Sequence, residues 1–474
     1  MSKLLKKATS SIDVIPQGKF ERYLLNENPF PSQAILNKDS TERKFNGSIY
    51  EPEIRSVEWE KMLTNFIKVP QNDLNHQRLG FILDSSYIGR GNGKTAFLLN
   101  LTKKINEEYC LDLSDNVNKC FAIYFQPESG GKTKSFDNFV DILFTAIIDS
   151  NIISNALAIL RIEAISTLLN SSTFLESFTD ENEIVAKFNN KDWFSSKERN
   201  EIFECSKTDI GKQILKNSHL QGISSDFPLY KEAHLVLTSI VTQKEFIEYF
   251  NSLKKGKDRM DFIFTDLVNV FLAAGFNGAY LFVDDFERIP DHQSAIQKKD
   301  FVTQLRTILY DGLYLNSKIG FYNIILALHA GVPRILQDAW GLSGLEQRVS
   351  LNPSIDNPRH MILFDKINEV HAIMLIQKYL SEYRTSDSGK PLSPFTEGAV
   401  RQIGLTAEFN AAKILQMAYN IIENAANDGI EEIDEPYIGS LTKQGAINIQ
   451  SDTLPDSIST TKTVDLLNKS NQTD

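Results

Sequence analysis

The sequence predicts an α/β fold with a central parallel sheet, a helical insertion over residues 151–250 and a C-terminal helical lid. Three observations lead there. An apolar run at 80–84 passes into a glycine-rich loop and then a helical pattern, the strand, loop, helix order of a parallel sheet unit. Two more runs, AYLFVDDFERIP at 279–290 and YNIILAL at 322–328, are short and nearly continuous in apolar residues, as buried strands are. Beyond residue 360 the apolar spacing turns helical.

Residues 1–46 read as a leader, because two prolines and two asparagines in LLNENPFPS deny it regular structure. It is expected to pack onto a domain rather than form one. The α/β domain is expected over 47–355, opening with the helix SVEWEKMLTNFI and the first strand. TAFLLNLTKKI is then a helix and CFAIYFQP, at 120–127, a strand. SGGKTKS at 129–135 reads as a turn before the helix SFDNFVDILFTAIID, since it lacks a full phosphate loop. Residues 151–250 carry helical patches and polar turns, and the amphipathic DFIFTDLVNVFLAAGF leads into the strand at 279–290. The lid, 356–445, is expected to hold three helices, the last closed by a glycine. Residues 446–474 have the Ser, Thr, Asn and Asp composition of a flexible tail.

With 474 residues, 42% hydrophobic and 23% charged, the chain can bury a sizeable core in about two to four structural units. No apolar run approaches the roughly 20 residues that span a bilayer, and MSKLLKKATSS lacks the apolar core of a secretory signal. A cytoplasmic protein without membrane contact is expected. The three cysteines, at 110, 120 and 205, form neither a disulfide framework nor paired zinc ligands, and the seven histidines include no metal-binding cluster. A net charge of −11 opposes nonspecific coating of nucleic acid. Lys254, Lys255, Lys257 and Arg259 make the best local basic patch for DNA, or a solvated loop.

The stretch GFILDSSYIGRGNGKT, residues 80–95, carries the chemistry. Its glycines let the backbone of Gly89, Arg90, Gly91, Asn92 and Gly93 turn N–H groups toward an anion. Lys94 can reach the β and γ phosphates of ATP, Thr95 can offer a hydroxyl to Mg2+, and the helix continuing through Ala96 aims its positive end at the same phosphates. Ile88 stands where the strict pattern has its first glycine. Magnesium needs a second hard oxygen ligand, which Asp284 supplies through water at the end of the 279–290 strand. Asp285 stands where a carboxylate polarises the attacking water, one methylene shorter than glutamate, with Glu287 as the fallback. The distance in sequence from Thr95 to Asp284 exceeds what one helix and one strand require, hence the insertion, where partner specificity is expected.

With the loop, the VDDFE strand, the polar-ended strand IILALHAG and a helical C-terminal region in that order, the chain resembles AAA+ P-loop ATPases of the origin-recognition type over roughly residues 25–440. LVNVFLAAGFNGAYLFVDDFERI looks most like bacterial and archaeal stand-alone ATPases, including those of phage-defence loci. The resemblance implies that Pro29 and Phe30 line an adenine pocket, the other reading of Phe30 being an anchor between leader and core. It implies that His329 contacts the γ phosphate or the water, or else is a capped core histidine. Arg348 is implied to reach the nucleotide of a neighbouring subunit, or else to be a surface arginine paired with an acid. Lys413, in the segment Ala411-Ala412-Lys413, replaces the arginine the family carries on its lid.

The expected function is therefore a Mg-ATP-binding ATPase whose binding and hydrolysis switch a homo-oligomer or a partner assembly, in a DNA-directed setting such as phage defence. Two alternatives stand beside it: a nucleotide-binding scaffold with negligible hydrolysis, and a DNA-gripping loader in replication or transposition.

Overall fold

The computed structural model describes residues 18–33, 36–85, 91–115, 118–352, 358–386 and 389–445. Ile88, Gly89, Arg90 and the tail expected at 446–474 lie outside the described residues. The chain forms two compact units, one made of 57–87 and 101–363, the other of 1–56, 88–100 and 364–474. The leader, the start of the helix after the glycine loop and the lid thus belong to a single unit.

The first unit is built on a five-stranded sheet. Its strands are β1 (Leu79–Asp84), β2 (Cys120–Phe125), β3 (Gly278–Val283), β4 (Tyr322–Leu328) and β5 (Met361–Phe364), in the order β2-β3-β4-β1-β5. The pairs β1 with β4, β3 with β4 and β2 with β3 are parallel. Every residue of β1, β3 and β4 is buried, which is why these strands are legible as apolar runs without alternation. The expected strand at 279–290 stops at Val283, because Asp285 takes a left-handed φ of 48° and turns the chain into two short helical turns. β5 is a strand where a helical lid was expected to begin, and its MILF is too short to stand out from the sequence.

The register brings the strand ends within two residues of one another. Leu83 pairs with Leu328, Leu326 with Val283, and Val283 with Phe125. Asp84, His329, Asp284 and Gln126 therefore line one sheet edge, the edge at which parallel sheets bind ligands. The outer strand β2 is closed by a side chain: Asn106 donates to the Ala122 carbonyl at 2.9 Å and accepts from the Ala122 N–H at 2.7 Å. SGGKTKS forms a turn, with Gly130 and Gly131 at φ 71° and 75°, and Ser135 caps the helix Phe136–Asp149.

Among the described residues, 151–250 contains helices and no strand. Its first helix, Ile152–Leu169, has a mean hydropathy of 1.6 over 18 residues, and by length and composition alone could cross a bilayer. Half of it is packed inside the protein. Near its middle Arg161, fully buried, pairs with Glu232 at 3.2 Å and donates to the Phe188 carbonyl at 2.8 Å. Glu232 also accepts the Val241 N–H at 2.6 Å, so this ion pair fastens three segments of the insertion. The setting is that of a core helix.

The second unit joins leader and lid. Among the described residues the lid has four helices rather than three: Glu369–Tyr383, Glu397–Thr406, Ala411–Asp428 and Glu435–Lys443, each capped by an Asn, Thr or Asp side chain. Tyr23, Leu25 and Phe30 enter their core, and the Asn28 side chain donates to the Tyr419 carbonyl at 3.1 Å and to Glu423 at 3.0 Å.

Candidate functional site

The glycine loop is described from Gly91 onward. Gly91 and Gly93 have φ of 103° and 86°, conformations that L side chains resist, with Asn92 buried between them. Successive N–H groups in such a turn form an anion-binding concavity at the start of a helix. That helix, Lys94–Glu107, carries Lys94, Thr95 and Ala96 in its first turn. Arg55 holds the loop from behind: its Nη2 donates to the Asn92 carbonyl at 2.7 Å and its guanidinium lies 4.7 Å from the Phe364 ring centre. Nothing in the sequence around Arg55 marks this role.

The lid meets the loop directly. The Ala412 N–H donates to the Gly91 carbonyl at 3.0 Å, while Asn410 caps the same lid helix by accepting from the Lys413 N–H at 3.1 Å. A Cβ on Gly91 would come within 2.5 Å of the Ala412 Cβ and 2.8 Å of the Asn410 Oδ1, so this contact requires glycine at 91. Lys413 thus stands in the turn of the lid that touches the loop. Phe30 is completely buried, 6.1 Å from the Tyr379 ring and 6.0 Å from that of Phe395. That is the placement of an anchor; Phe30 offers no free face on which a base could stack.

The carboxylates belong to the sheet unit. Asp284 is 1% exposed and accepts hydrogen bonds from the Tyr124 hydroxyl at 2.9 Å, the Gln126 amide at 3.1 Å and the Asp285 N–H at 2.9 Å. The Tyr124 hydroxyl is held far above its ordinary pKa, by burial first and then by the charge of Asp284, so it acts as a donor. Asp285 is paired with Arg288, whose Nη1 also donates to the Pro127 carbonyl at 3.2 Å. Glu287 is buried. His329, half-buried just past β4, accepts the Gly331 N–H on Nδ1 at 3.3 Å, which puts the proton of a neutral ring on Nε2, a donor.

Arg348 sits elsewhere. It is exposed, its guanidinium 5.6 Å from the Tyr310 ring centre, and Arg78 lies 5.8 Å from the same ring. Burial pushes the Tyr310 phenol up to about 12, against the pull of both arginines. Arg78 immediately precedes β1, so Arg348 belongs to the sheet edge opposite that of Asp284 and His329. Among the described residues no carboxylate pairs with Arg348.

The basic patch is partly neutralised: Lys255 and Arg259 both pair with Asp141, at 3.0 Å and 2.5 Å, while Lys254 and Lys257 are exposed. Cys110 and Cys120 are buried free thiols. Among the described residues no cluster of three or more His, Cys, Asp or Glu could hold a metal unaided. The donors expected for magnesium, the Asp284 carboxylate and the Thr95 hydroxyl, are hard oxygens of the kind that ion accepts.

No family model matches the chain, and no curated protein matches it in sequence. Among solved structures, a Walker-type ATPase of Pyrococcus abyssi aligns over 84% of this chain and 74% of its own, with 10% identity and a TM-score of 0.35. At that level two chains need not share a fold.

Proposed function

We propose that this chain is a Mg-ATP-binding ATPase of the AAA+ kind. One observation carries the reading: β4 lies between β1, after which the sequence continues into the glycine loop, and β3, which Asp284 follows. Asp284 and His329 thereby follow neighbouring strands on one sheet edge. In this reading the loop amides and Lys94 take phosphate oxygens, and Thr95 and Asp284 offer oxygens to magnesium. Magnesium would supply charge neutralisation at the β and γ phosphates. Asp285, and the Nε2 proton of His329, are the groups for orienting water at the γ phosphate.

Arg348, on the opposite edge, is suited to the nucleotide of another copy, where a fixed guanidinium offsets developing charge. The exposed Leu313 and Leu342 are apolar surface available for a homo-oligomer contact. The insertion at 151–250 is the surface for a partner protein. A DNA-directed setting in the cytoplasm, such as phage defence, follows from the AAA+ likeness alone.

Turnover tests the reading. Purified protein releases phosphate from ATP only with Mg2+, and Lys94→Ala reduces both nucleotide binding and release to background. Equal behaviour of wild type and Lys94→Ala in both assays refutes it. One contact favours a non-hydrolysing switch instead: Asp285 is engaged by Arg288. If wild-type protein binds Mg-ATP yet releases no phosphate above Lys94→Ala, the switch reading stands.

A further inference from the structure

We infer that Tyr124 and Gln126, on the outer strand β2, are positioning residues that hold Asp284 in the orientation in which it receives a divalent cation. The inference rests on the Mg-ATP reading above. The register pairs Tyr124 with Phe282 and Phe125 with Val283, which sets Gln126 level with Asp284. Residues opposite one another in a parallel pair share a face, and residues two apart on a strand do too. Tyr124, Gln126 and Asp284 therefore project from the same face of the sheet.

Both side chains donate to the same oxygen, Oδ2, at 2.9 Å and 3.1 Å, while the Asp285 N–H holds Oδ1 at 2.9 Å. A carboxylate gripped on both oxygens cannot rotate, so it reaches its ligand without losing freedom at the moment of binding. Neutral donors suit this task. A lysine or arginine in either position would hold Asp284 as firmly but would cancel the charge that attracts the cation. Arg288 pairs with Asp285 and donates to the Pro127 carbonyl.

Outer partners of metal ligands typically contribute 10–100-fold to metal affinity. Tyr124→Phe removes one hydroxyl and leaves the ring in place, so it is expected to raise the Mg2+ concentration that half-saturates binding of a fluorescent ATP analogue by about tenfold. Combining it with Gln126→Ala is expected to raise it further, by about 30–100-fold. Nucleotide affinity in EDTA should stay at its wild-type value. A direct Mn2+ titration followed by electron paramagnetic resonance, with nucleotide present, should display the same shifts.

If Tyr124→Phe lowers the metal-free melting temperature and leaves the Mg2+ requirement unchanged, the pair only satisfies a buried carboxylate and the inference is wrong. If wild-type protein binds nucleotide equally with and without Mg2+, the inference also fails, while nucleotide binding itself stands. If wild type and Lys94→Ala both bind no nucleotide, the functional reading falls and takes this inference with it.

Discussion

Asp266 offers the cleanest quantitative test of the sheet unit. It lies where DFIFTD gives way to the buried helix Leu267–Ala273, and burial, with Asp261 adding its charge, raises its pKa from 3.8 to about 6. The folded-state value lies above the unfolded one, so the native protein binds the extra proton between about pH 4 and pH 6. Below that window the group is neutral in both states. Above it the ionised carboxylate destabilises the fold by up to about 3 kcal/mol, at roughly 1.4 kcal/mol per tenfold. Partial solvent access lowers this to about 1–3 kcal/mol.

Asp266→Asn removes the charge and keeps the shape. At pH 8 it should raise the urea midpoint by the equivalent of about 1–3 kcal/mol, or several degrees in melting temperature. The advantage should shrink as pH falls through 6 and vanish near pH 4. A variant less stable than wild type at pH 8, or a difference independent of pH, would show that Asp266 has a favourable partner when ionised and refute the reasoning.

Gly91→Ala should weaken Mg-ATP binding more than tenfold, since it meets both an unfavourable φ and a 2.5 Å approach to Ala412, whereas Gly93→Ala, with nothing within 4 Å of its Cβ, should lose less. Titration with a fluorescent nucleotide ranks the two. Glu232→Ala should cost about 3–5 kcal/mol by stranding the Arg161 guanidinium in the insertion, and Arg161→Met added to it should restore much of that, read from the fluorescence of buried Trp193 in urea. Arg348→Ala should bind nucleotide normally yet lose turnover, and mixing it with Lys94→Ala should recover activity in a concentration-dependent way; loss of nucleotide binding in Arg348→Ala alone would contradict action on a second copy.

The parts of the fold legible in the sequence are those set by local chemistry. β3 and β4 are continuous apolar runs because both sheet faces are covered, and the glycine loop is marked by residues that tolerate positive φ. The helical character of 151–250 shows in its spacing. What escaped depends on neighbours distant in sequence. β5 is four residues whose identity as a strand comes from the sheet beside it. Arg55 matters because the Asn92 carbonyl is there to accept from it, and Tyr124 because the register sets it near Asp284. Phe30 carries the same pattern whether it faces a base or a lid core; only the rings of Tyr379 and Phe395 distinguish the two. Asp285 reads as a free base in sequence, and Arg288, one helical turn on, engages it.

A parallel sheet that ends in an unpaired strand is a template to which another chain can add without limit. Here Asn106 imitates a missing strand with one amide, giving and taking the two hydrogen bonds that Ala122 would otherwise offer to a stranger. Replacing it with leucine would leave the fold's interior untouched and reopen that template. At the β2 edge, assembly is thereby steered away from main-chain growth and toward surfaces with particular side chains, where growth can stop at a defined number of copies.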